Sequence, residues 1–178
     1  QTSSKGDEDT TESGLQKGMP VALKTCLIAG ALCNDAQLKQ TGHHWSVVGD
    51  PTEGGLLTAA AKADLNLSEL SKSMTRLDSI PIESQNQYMA SLHAGQPQTI
   101  YVKGSEEALQ VRCSEMMIAE GTVVPIDPVA IEQAVKMMTQ KALRVLAFAM
   151  KTTAPHQHSV EHSDIQKGLI FLGLQGMI

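Results

Sequence analysis

"GDPTEGGLLTAAAKA", residues 49 to 63, sets an acid, a proline, a second acid and two glycines ahead of a run of small residues. That order predicts the start of a helix. Asp50 stands at the N-cap, Pro51 at the first helical position, where no amide hydrogen is needed, and Glu53 at the third. Asp50 and Glu53 then make a capping box with Asp in the Ser/Thr place, Thr52 supports the turn between them, and both carboxylates have the sign the helix dipole favours. Leu56, Leu57, Ala60 and Ala63 follow at spacings of three and four, an apolar stripe on a helix over about 51–63. Gly54 and Gly55 break the pattern, because each weakens a helix interior by roughly 0.5–1 kcal/mol relative to alanine. Either they allow close helix packing, or something else needs room beside the first turn.

Working outward, Met19 to Asp35 suits an apolar helix carrying Leu23, Leu27, Ala31, Cys26 and Cys33. "WSVVGD" (45–50) is a short strand leading into the helix cap, with His43 and His44 as turn residues, and a further helix spans about Leu67 to Ser73. "RLDSIPIES" and "QYMASLH" read as strands separated by a polar turn. "AGQP" (94–97) links the second of these to "TIYVKG", where Ile100 and Val102 alternate with Tyr101 and Lys103, a hairpin signal. "SEEALQVRC" is a helix capped by Ser105 with two acids in its first turn. "TVVPI" is a short strand, Asp127 and Pro128 open a helix to about Lys141, and "LRVLAFAMK" and "LIFLGLQGMI" are buried strands. Hairpins mixed with helices predict an α+β fold, a largely antiparallel sheet flanked by helices.

The chain of 178 residues is one domain by size, with 42% apolar and 19% charged residues. Aromatics are only 3%, so the core must come from Leu, Val, Ile, Ala and nine Met. A net charge of −5 leaves no broad basic surface for nucleic acid. The three cysteines, Cys26, Cys33 and Cys113, lack metal-ligand spacing and read as buried free thiols of a reducing compartment. Residues 1–18 are polar and acidic and read as a flexible linker, which leaves 19–178 as the folded domain. No stretch reaches the roughly 18 apolar residues of a membrane span. The apolar run 168–178 reaches the last residue and the first is not Met, which predicts a piece excised from a longer chain.

Three places carry candidate chemistry. In "YVKGSEE", Lys103 ends a strand, Gly104 permits a tight turn, and a helix starts at Ser105 with free amides. Such a lysine is either solvated or a point charge for phosphate at a helix N-terminus. Arg144 opens an otherwise apolar strand and needs a partner, a carboxylate at the sheet edge or a ligand oxyanion. His156, His158 and His162 in "HQHSVEH" form a mobile surface loop or a zinc or nickel site.

In order, "CNDA" (33–36), "GDPTEGGLL" (49–57), "IPIESQNQYMASL" (80–92), "YVKGSEE" (101–107), "LRVLAFA" (143–149) and "FLGLQGMI" (171–178) resemble a known family. They are similar to the cytoplasmic nucleotide-binding domain of cation-transporting P-type ATPases, of the broad type that includes the calcium pumps. The resemblance covers about residues 20–178. It implies a domain on the cytoplasmic face of a membrane protein that binds ATP (Mg-ATP in the full-length pump). ATP would be presented to an aspartate in a phosphorylation domain, with an actuator domain as the other partner. The Asp-Lys-Thr-Gly-Thr motif that accepts the phosphoryl group is absent from these residues, so no catalytic residue and no metal ligand is assigned.

The resemblance also implies roles for single residues. Glu53 matches the acid near adenine, with Asp50 and Thr52 shaping the turn and the two glycines leaving space at the purine. Lys103 and Gly104 match the inner lining of the adenine pocket, Arg144 the arginine near the phosphates and Leu146 an apolar wall. Ile82, Gln87 and Met89 lie on the remaining nucleotide-binding segment. Ile82 stands where the family has Phe, Gln87 where calcium pumps have Lys, and Ala142 where a glycine is usual. Two other readings stay open: a metal-responsive or protein-binding module built on the histidine loop, and a structural domain that has lost ATP binding along with its phenylalanine.

Overall fold

A computed structural model describes residues 18–178; the linker expected at 1–18 lies, Gly18 apart, outside the described residues. Along the chain come α1 (Val21–Leu32), β1 (Gln37–Thr41), β2 (His44–Val48), α2 (Pro51–Lys62) and α3 (Leu67–Ser73). Next are β3 (Arg76–Ile80), β4 (Tyr88–His93), β5 (Thr99–Gly104), α4 (Glu106–Gln110), β6 (Cys113–Met117) and β7 (Val123–Pro125). The chain closes with α5 (Pro128–Gln140), β8 (Arg144–Thr152), a 3-10 turn at His162–Ile165 and β9 (Leu169–Met177). Strands β1 and β2 make a separate hairpin, and the other seven form one sheet in the order β3-β4-β5-β8-β9-β6-β7. Every neighbouring pair is antiparallel except β6 and β9, so the α+β architecture is as expected.

Side-chain alternation splits the sheet between two cores. On one face Met89, Tyr101 and Phe148 pack against Cys26, Ala29, Leu32 and Cys33 of the α1 segment and Leu56 of α2. On the other, Tyr88, Ala90, Ile100, Val102 and Ala147 pack with Leu109, Ile131 and Ile165. Strands β4 and β5 are therefore buried along their whole length, both faces being covered. All three cysteines are free and buried.

The polar helix starts behave as their side chains dictate. Asp50 accepts from the amides of Thr52 and Glu53 at 2.8 and 3.2 Å, Ser105 from Ala108 and Asp127 from Ala130, each at 3.1 Å. Other expectations are corrected. Leu23, one of the apolar residues expected on α1, is exposed, because the inward face runs through Cys26, Leu27, Ala29, Gly30 and Leu32. His44 opens β2 rather than lying in the turn, and β1 pairs with it. The helix after Ser105 stops at Gln110, and Cys113 starts β6, whose partner β9 lies far along the chain. Ala142, after the end of α5, adopts φ +58, the left-handed backbone that glycine takes without strain.

Candidate functional site

Lys103 lies near the end of a central strand, on the face that α1 and α2 cover, paired across β4 with Met89 and across β8 with Phe148. It is only 5% exposed. A buried ammonium needs a paired, hydrogen-bonded partner. That partner is Glu53, in the first turn of α2, whose Oε1 is 2.6 Å from Lys103 Nζ. Lys103 is thus neither the solvated lysine nor the free point charge that its strand position suggested. The second carboxylate oxygen of Glu53 accepts from the Asp35 amide at 3.3 Å. The capping box is therefore only half made: Asp50 caps the helix, while the Glu53 carboxylate turns inward to Lys103 and the Asn34–Asp35 loop.

The same helix start meets Arg144. This residue is exposed at the beginning of β8, not buried, and its Nη1 donates to Thr52 Oγ1 at 3.4 Å. The amides of Glu53 and Thr52, with the Arg144 charge, hold the Asp50 carboxyl below its ordinary value of 3.8. Leu146, two residues along β8, is half-buried beside the α1-side core. Arg144, Leu146, Lys103 and Met89 therefore share one sheet face, and the N-terminus of α2 lies on that side.

Gly104 is required by contact. A Cβ there would sit 2.3 Å from the carbonyl oxygen of Gln87 and 2.9 Å from the Tyr88 Cα. Gln87 itself takes φ +56, accepts from the Ser105 amide at 3.1 Å, and accepts the Ser105 hydroxyl on its own side chain at 3.2 Å. Ile82, on the loop after β3, is 66% exposed, whereas Met89 is 2% exposed beneath the site. The two glycines of α2 face different neighbours. A Cβ on Gly54 would lie 2.3 Å from Val47 Cγ1, and one on Gly55 would lie 3.3 Å from Met177 Sδ. Close packing is the reason for Gly54, whereas the neighbour of Gly55 is the flexible end of a methionine side chain.

Sequence reasoning overlooked the polar support of Glu53. Asn34 Nδ2 donates to the carbonyls of Gly30 and Glu53 at 3.0 and 2.8 Å, and Arg76 donates to Asp35 Oδ1 at 2.7 Å and to the Asn34 carbonyl at 2.9 Å. An adjacent amide and acid closing an apolar helix was the available signal. In the histidine loop, His162 Nδ1 is hydrogen-bonded to the Tyr88 hydroxyl. Among the described residues no group of three or more His, Cys, Asp or Glu is placed to hold a metal ion. A cavity of about 1030 Å³ between α2, α3 and the β1–β2 hairpin, walled by Leu57 and Trp45, includes none of Glu53, Lys103 or Arg144.

Residues 22–178 match the family described as P-type ATPase, cytoplasmic domain N. The chain belongs to that family. Its α+β fold is that of an N domain, a cytoplasmic part of a larger P-type ATPase. It is 54% identical over 170 residues to the cation-transporting ATPase pma1 of Synechocystis, covering 96% of this chain and 19% of that protein. It is 37% identical over 170 residues to the probable cation-transporting ATPase F of Mycobacterium tuberculosis, covering 95% and 19%. With the calcium-transporting ATPase 1 of Lactococcus lactis the identity is 33% over 159 residues, covering 87% and 18%. The N domain thus spans about a fifth of the length of these relatives. Among its described residues no helix is long and apolar enough to cross a membrane.

Proposed function

We propose that this N domain is the ATP-holding part of a cation-transporting pump and presents the nucleotide to an aspartate of a separate phosphorylation domain. The observation that carries the reading is the largely buried Glu53–Lys103 ion pair on the sheet face that also holds Met89, Leu146 and Arg144. The Glu53 carboxylate accepts from the 6-amino group of adenine, a donor it can bind without losing Lys103. Lys103 and Gly104 line the inner end of the base pocket, over Met89. Ile82 and Leu146 supply apolar walls, Gln87 lies on the rim, and Arg144, exposed and cationic, faces the phosphates from the start of β8, beside the N-terminus of α2. Relatives named as cation- and calcium-transporting support a pump as the parent protein. The transported ion is chosen elsewhere in the pump.

The 178-residue chain should bind ATP weakly, with little need for magnesium because base and ribose carry the contacts, and should release no phosphate. Calorimetry with ATP tests this, alongside a phosphate-release assay. Glu53→Gln and Lys103→Ala each remove a charged hydrogen-bonding group worth roughly 1.5–3 kcal/mol where well desolvated. Each should therefore weaken ATP about tenfold or more. Lys103→Ala also strands a half-buried carboxylate, so its thermal melt is read beside its affinity. Unchanged affinity in a folded Glu53→Gln variant, or turnover abolished by Lys103→Ala, refutes the reading.

A further inference from the structure

We propose that Arg76 is a positioning residue for the adenine-binding carboxylate of Glu53, acting through the loop at Asn34 and Asp35; this rests on the reading of Glu53 given above. Arg76 opens β3, the edge strand of the sheet, on a different element from every residue assigned to the nucleotide. Its guanidinium forks across two consecutive residues, Nη1 to Asp35 Oδ1 at 2.7 Å and Nη2 to the Asn34 carbonyl at 2.9 Å. Two contacts on neighbouring residues fix the rotation of the loop as well as its place. A lysine carries three donors on one flexible nitrogen and lacks the planar fork that fixes both acceptors in one geometry.

The loop is fixed from within too. Asn34 ties the end of α1 to the first turn of α2 by donating to the Gly30 and Glu53 carbonyls, and its Oδ1 accepts from the Ala36 amide at 2.9 Å. The outcome is an Asp35 amide directed at Glu53 Oε2, while Oε1 is taken by Lys103. With each oxygen held by a donor on a different element, the carboxylate has one orientation. A ligand donor meets a lone pair already aimed, and no rotamer freedom is lost on binding. The Arg76–Asp35 pair is itself well solvated, with side chains 32% and 59% exposed. Exposed pairs of this kind add little to stability. Its effect is therefore expected on affinity more than on folding.

A double-mutant cycle on the 178-residue chain, read by ATP calorimetry with thermal melts in parallel, separates positioning from general support. Arg76→Ala should weaken ATP by about three- to tenfold, and Arg76→Lys should keep most of that loss. In a Glu53→Ala background the same Arg76→Ala change should alter affinity by less than about twofold, because the group it orients is gone. A purely structural role predicts the same loss in both backgrounds. That result, or parental affinity in Arg76→Ala, overturns the proposal while leaving Glu53 at the base. Parental affinity in Glu53→Ala refutes the reading of Glu53 and this inference with it. Should Arg76→Ala melt before it can be titrated, Asp35→Ala carries the same comparison, since it removes the guanidinium's partner and keeps the amide. A loss confined to the Glu53 background supports the proposal, and an equal loss in both overturns it.

Discussion

Ile82 is the residue whose change tests the site most directly. It stands on the loop after β3, 66% exposed, within the "IPIES" segment, at the position that the resemblance matches to a phenylalanine. Stacking of an aromatic side chain on a base is worth about 1–3 kcal/mol by alanine substitution. Isoleucine keeps apolar area but lacks the flat polarizable face, so about 1 kcal/mol of that is missing here. Overpacking would oppose the gain at a buried position, but the exposure of Ile82 leaves a larger ring room. Ile82→Phe should therefore bind ATP about fivefold more tightly than the parent by calorimetry, with an unchanged melt. Equal or weaker binding by a folded variant means the base is gripped elsewhere. Tyr88 does not offer that grip: it lies on the opposite sheet face, hydrogen-bonded to His162 and stacked under the Arg112 guanidinium.

At the scale of elements, helix α2 is set by its own first turn and by the hairpin against it. Gly54 and Gly55 look alike in sequence but face different neighbours. A methyl group at Gly54 would overlap Val47 of β2, whose Cγ1 and Cγ2 lie 2.3 and 2.7 Å from the Cβ position. At Gly55 it would touch only the sulfur of Met177 at 3.3 Å, the far part of a flexible side chain. Gly54→Ala should cost about 1–3 kcal/mol through overpacking. Gly55→Ala should be neutral or gain up to about 1 kcal/mol from helix propensity. Urea denaturation of the two variants checks the contrast, and Val47→Ala should restore most of what Gly54→Ala loses. The glycines were legible as misfits in a helix; which strand Gly54 admits was not, because β1 and β2 are short, solvent-exposed and carry no alternation of buried residues.

Across the whole molecule, the sheet is seated on α3 through a buried histidine. The Met74 carbonyl can only accept, so His93 Nδ1 carries the proton that it donates there at 2.8 Å, and Nε2 accepts the Ser91 hydroxyl at 2.8 Å. Burial first, and then the Arg76 charge, lower the His93 pKa from 6.5, while the bond to the Met74 carbonyl partly opposes them. The unfolded chain therefore takes a proton before the folded one does. Stability from this group is complete above 6.5 and is lost as pH falls from there toward the folded-state value. Urea midpoints should drop between about pH 7.5 and about pH 5.5, and His93→Gln should flatten that slope even though it lowers the midpoint throughout. An unchanged slope in His93→Gln would assign the pH dependence to other groups.

The sequence by itself determined the helix starts, because Asp50, Ser105 and Asp127 act on amides two or three residues away. It determined the alternating strands, whose apolar and polar positions differ by one residue, and through six ordered motifs it determined the family. Glu53 and Lys103 could each be singled out in the same way. Their contact could not, since it joins residues fifty apart and exists only once the first turn of α2 meets the end of β5. Tertiary structure alone decided that Lys103 is buried, that Glu53 leaves the helix cap for it, and that Arg76 reaches the loop holding Glu53. Those outcomes depend on which elements meet, and a buried charge takes whatever partner the packing brings within hydrogen-bond reach.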